Sequence, residues 1–143
     1  MKAGKMLVGF ALIWIVLGCV LGFVLGAVQT KYLQNMQEFA QSNNLSGFWA
    51  EMSSWKHYSG AHSHGLCLAT VAFLIGLAMV AEVIKRLQGV TSWLLAIGTV
   101  TMSLGEIFIV VPMMVIGGIM FIIALVLAFI AMWLKPKSST TAN

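Results

Sequence analysis

Three long apolar runs separated by polar stretches set the plan of this chain. The first runs from Met6 to about Val28 without a charged residue. The second runs from about Ala61 to Ala81 and is closed by EVIKR. The third covers Gly89 to Leu134 and contains one charge, Glu106. A bilayer core of about 30 Å is crossed by roughly 20 apolar residues in a helix, so each of the first two runs is one span. The third is about twice that length, and Pro112 with Gly117 and Gly118 predicts a tight turn inside it. Four spans follow, at 6–28, 61–81, 91–110 and 115–134.

The polar interval between the first two spans has a pattern of its own. Phe48, Trp49, Met52 and Trp55 recur at helical spacing, and Trp favours the membrane–water boundary. This predicts a short amphipathic helix lying on the outer surface. Within the first span, Gly18, Gly22 and Gly26 form a stripe of small residues. Such a stripe lets helix backbones approach in lipid, either inside one chain or at a seam between subunits.

Composition decides the solvent. The chain is 60% hydrophobic and 8% charged, where a soluble domain carries about 25% charged residues. The fold class is therefore all-α: an integral membrane four-helix bundle, one domain over 1–143, with a disordered tail at 135–143. The first apolar run exceeds a signal-peptide core of about 7 to 15 residues, which predicts an uncleaved span. With four spans, Lys2, Lys5, Lys85, Arg86, Lys135 and Lys137 share one side, and only Lys31 and Lys56 fall on the other. The positive-inside rule then places both termini in the cytoplasm of a cell inner membrane. The same asymmetry accounts for the net charge of +4 without a nucleic-acid partner.

Little else is free to carry chemistry. Cys19 and Cys67 sit in different spans and read as small apolar residues. No Cys-x-x-Cys-His is present, which excludes covalently attached c-type haem. The ten methionines lie mostly singly in apolar spans and read as core filler rather than copper ligands. Glu82 stands three and four residues before Lys85 and Arg86, so an ion pair explains it. Polar groups in the inner half are limited to Thr70, Thr99 and Thr101, too few for a metal-transport pathway.

What remains is HYSGAHSHG, residues 57–65, which holds all three histidines and leads into the second span. With that helix starting near Ser59, His62 and His64 point about 200° apart at 100° per residue. They cannot bind one metal from one continuous helix, while His57 falls on the side of His64. Glu106, near the outer end of the third span, meets the histidines at similar depth. An ionisable group at membrane depth is a functional candidate by default; the alternative is a protonated acid bonded to a neighbouring backbone. For the histidines the alternative is solvation by water and headgroups. A hydrophobic bundle with a neutral imidazole suits haem b, and Gly60 and Gly65 allow a flat ring near the backbone.

The stretch GAHSHGLCLATVAFLIGL is similar to the histidine-bearing start of the second span in styrene oxide isomerases, small four-span membrane enzymes. In that family an Ala-His-Ser sequence supplies the axial histidine to haem b. The resemblance implies His62 as iron ligand, a homotrimer with haem between subunits, and a small apolar substrate taken from the membrane. It also implies an isomerase whose ferric iron acts as Lewis acid on an epoxide oxygen. The family's asparagine six residues after the histidine corresponds to Leu68 here. Its third-span tyrosine falls within LGEIF, leaving Glu106 as the candidate catalytic group. His64 is a second cofactor-binding candidate, contributed from a neighbouring subunit or after local unwinding of the helix. The other class open to the chain is a haem- or metal-binding electron-transfer or accessory subunit of a larger membrane complex.

Overall fold

The computed structural model describes residues 2–134; the tail expected to be disordered, 135–143, lies outside them. The described chain is four helices: α1 (Lys2–Gln41), α2 (Leu45–Val80), α3 (Gln88–Ile107) and α4 (Val111–Trp133). All four are long and apolar enough to cross a membrane, and no strand occurs among the described residues. α1 pairs with α2 and α3 with α4, while α3 also packs on α2 and α1.

The separate surface helix expected between the first two spans is not there. α1 and α2 instead continue past their apolar runs and meet at a turn over residues 42–44. At 1.5 Å per residue α1 is about 60 Å long, twice the bilayer core. Part of the apolar face read as membrane-lying packs on α1, where Tyr32 meets Trp55 with ring centroids 5.3 Å apart, while Trp49 stays exposed. One turn further out, Asn35 Nδ2 donates to Glu51 Oε1 at 2.7 Å. Asn43 takes a left-handed φ of 55° in the turn. The Asn44 side chain then accepts from the Gly47 N–H at 3.0 Å, capping α2.

The turn between the last two spans also differs from expectation. Residues 108–110 make it, with Ile109 at φ 58°. Pro112 sits in the first turn of α4, where its missing N–H and fixed φ suit a helix start. Gly117 and Gly118 are inside α4, and Gly117 serves close packing: a β-carbon on Gly98 would fall 2.9 Å from the Gly117 carbonyl oxygen.

Contacts of this kind hold the bundle, because lipid removes the hydrophobic drive between helices and leaves close packing to do it. A β-carbon on Gly4 would lie 2.8 Å from Met79 Cβ, so α1 and α2 touch at the end of the bundle that carries the N-terminus. α4 turns Ala124, Ala128 and Ala131 inward, while Ile122, Ile123, Val126 and Phe129 stay exposed. Apart from the buried Phe121, the small residues of α4 face the protein and its large ones stay outside. The glycine stripe of α1 divides: Gly18 meets Leu66 and Gly22 meets His62 within the chain, and Gly26 meets nothing within 4 Å.

Candidate functional site

Because α2 is continuous from Leu45, all three histidines lie on one helix. His62 faces α1. Its Nδ1 is 2.9 Å from the Gly18 carbonyl oxygen, and a carbonyl only accepts, so Nδ1 carries the proton. Nε2 is then the lone-pair nitrogen, and it has no hydrogen-bond partner among the described residues. The ring lies against Gly22, where a β-carbon would come 2.6 Å from Cε1. An open groove of about 510 Å³ borders it, lined by Cys19, Gly22, Phe23, Gly26, Ala27 and His62. An imidazole with one nitrogen held by a backbone carbonyl and the other free is a prepared ligand for a metal.

His64 faces the other way, toward α3. Its Nδ1 donates to Glu106 Oε1 at 2.5 Å. Glu106 stands in the last turn of α3 with its side chain 10% exposed, against 54% for His64. The structure thus brings together the acid and the second histidine, as their depth suggested, and gives the carboxyl group a side-chain partner rather than a backbone one. Glu106 Oε2 is buried without a partner. An outward polar groove of about 700 Å³ includes both residues together with Lys56 and His57. His57 shares the face of His64 but sits about 10 Å further along the helix. No group of three His, Cys, Asp or Glu side chains among the described residues is placed to hold a metal ion.

One anchored imidazole, an apolar groove and two glycines without side chains in its wall match a flat, largely apolar group with one axial ligand. His64 lies on the opposite face of α2 from His62, so it cannot share an iron with it inside one chain.

Polar groups that the sequence pattern did not single out lie along α3. Ser92 and Ser103 are buried, as is Thr91, and the hydroxyls of Thr91, Thr99 and Ser103 have no partner. Ser92, Thr99, Ser103 and Glu106 share one helix face by their spacing, a signal present in the sequence. Thr70, by contrast, is exposed and bonds back to the Leu66 carbonyl at 2.8 Å. Glu82 meets Lys85 at 3.6 Å, and both cysteines are free and exposed.

No family model matches this chain, and no curated protein or solved structure is significantly similar to it.

Proposed function

We propose that this chain is an integral membrane protein that holds haem b through His62. In this reading it acts as a homotrimer in the cell inner membrane, with the histidine cluster on the outer side, and isomerises apolar epoxides to carbonyl compounds. The observation that carries the reading is the anchored imidazole, with Nδ1 bonded to the Gly18 carbonyl at 2.9 Å and Nε2 free beside an apolar groove. Ferric haem bound there supplies a Lewis-acid centre for an epoxide oxygen.

The remaining work falls to the chain's own residues. The Gly18 carbonyl accepts from Nδ1 and so leaves Nε2 as the ligating nitrogen. Gly22 and Gly26 leave a wall without side chains, and Phe23 and Ala27 make the rest of it apolar. Glu106 orients His64, whose Nε2 is left to accept a proton or hydrogen bond from a reacting group. The two histidines present opposite faces of α2. A cyclic oligomer, joined by unlike faces, would bring the His64–Glu106 pair of one copy toward His62 of the next.

The test is turnover. Haem-loaded proteoliposomes are given styrene oxide, and product is followed by NMR. Aldehyde formation that falls to background in His62→Ala supports the reading; haem-loaded protein that forms no carbonyl product from aryl or alkyl epoxides overturns the isomerase. A second reading, an electron-transfer or accessory subunit, is favoured by the second free nitrogen on His64. It requires a low-spin ferric spectrum that changes in His64→Ala.

A further inference from the structure

A second cavity has Gly18, but not His62, in its lining. It is a half-open cleft between α1, α2 and α3 that measures about 260 Å³ and is lined by Trp14, Leu17, Gly18, Gly65, Ser103 and Ile107 among others. Its walls are almost wholly apolar, with two exceptions. Ser103 is 3% exposed, and its hydroxyl has no partner. The Trp14 indole N–H likewise has no hydrogen-bond acceptor among the described residues.

The two polar groups converge. A β-carbon on Gly65 would lie 3.2 Å from Ser103 Oγ and 3.6 Å from Trp14 Nε1. Both therefore border the small space that a side chain at position 65 would enter. A serine hydroxyl in a membrane helix ordinarily bonds back to a carbonyl of the preceding turn. Left unpaired at this depth, it carries a desolvation cost that an occupant can relieve. The indole only donates and the hydroxyl can donate, so the matching group is one neutral oxygen acceptor. A cavity of about 150 Å³ holds benzene; this one has room for roughly ten non-hydrogen atoms on the same scale. Leu17, at its rim, is 54% exposed on α1, which gives an entry from the lipid.

We infer that this cavity binds a small, neutral, apolar molecule bearing a single hydrogen-bond-accepting oxygen, such as a ketone or ether, with Ser103 and Trp14 as donors to that oxygen. The site does not rest on bound haem. Its occupant shares one wall, Gly18, with the anchor of His62.

The probe is 4′-fluoroacetophenone, followed by fluorine NMR on the full chain in lipid nanodiscs, with 1-ethyl-4-fluorobenzene as the oxygen-free analogue. Saturable binding of the ketone is expected in the wild type and equally in haem-free His62→Ala, with at least fivefold preference over the hydrocarbon. Ser103→Ala, which keeps the cavity, should abolish that preference. Gly65→Ala should weaken the ketone at least fivefold, with circular dichroism confirming the fold. Partitioning that does not saturate, equal affinity for the two probes, or indifference to Ser103→Ala overturns the inference. Loss of binding in His62→Ala would overturn its independence of the haem site.

Discussion

The imidazole of His62 lies against Gly22 so closely that a β-carbon there would fall 2.6 Å from Cε1. Glycine at position 22 and histidine at position 62 are thus one structural unit, joined to the Gly18 carbonyl by the 2.9 Å bond of Nδ1. Gly22→Ala must displace the ring or part the helices. The expected outcome is haem affinity lower by about tenfold or more, equivalent to about 1.4 kcal/mol. Gly9→Ala, where an added β-carbon meets nothing within 4 Å and which lies outside the groove, should leave haem content unchanged. Pyridine haemochrome assay per mole of purified protein checks both.

Glu106 sets the tautomer of His64. While the carboxylate accepts from Nδ1, Nε2 carries the lone pair. Glu106→Ala should release the ring, and nitrogen-resolved NMR of His64 should show the Nδ1–H tautomer lost. With His64 54% exposed, water can take over the bond, so stability should change by no more than about 1 kcal/mol. An unaltered tautomer in the variant would remove Glu106 from any orienting role.

The α1–α2 hairpin beyond the bilayer is tied by Asn35 and Glu51, 2.7 Å apart. Removing either partner should cost about 0.5–1.5 kcal/mol, and the double variant less than the sum, since the two act as a pair. Reversible unfolding in denaturing detergent measures this. The same hairpin reports topology. A cysteine at Ser42, in a background with Cys19 and Cys67 replaced by serine, should be labelled by an impermeant maleimide from outside the inner membrane. One at Arg86 should not.

Gly98 and Gly117 fix the approach of α3 to α4. Gly98→Leu places a side chain against the Gly117 carbonyl, which an alanine methyl would already reach at 2.9 Å. A loss of about 1–3 kcal/mol is expected from overpacking, read as a lowered thermal midpoint.

The spans were legible because lipid demands long apolar runs, and nothing else in a chain of this size requires them. The ends were less so. Residues 29–41 and 45–56 pack on each other, and that pairing cannot be read from either segment alone. Phe48 and Trp55 therefore looked like an interfacial face. Pro112 reads as a breaker although a first-turn proline starts a helix equally well, and Gly117 reads as a turn because its partner, Gly98, is distant in sequence. The opposite facing of His62 and His64 followed from helix periodicity alone, and so did the shared side of His57 and His64. The partner of His64 followed only from depth. Only the face it shares with Glu106 marks Ser103 in the sequence, because serines in membrane helices usually satisfy themselves.

One measurement tests the central claim most directly. The ultraviolet–visible spectrum of the protein purified in mild detergent, before and after dithionite and with added haem, is compared with that of His62→Ala. The expected result is a Soret band at near-stoichiometric haem, lost in His62→Ala and retained in Gly9→Ala. A wild-type protein that stays colourless after haem is added, or a band that His62→Ala leaves intact, would contradict haem ligation at His62.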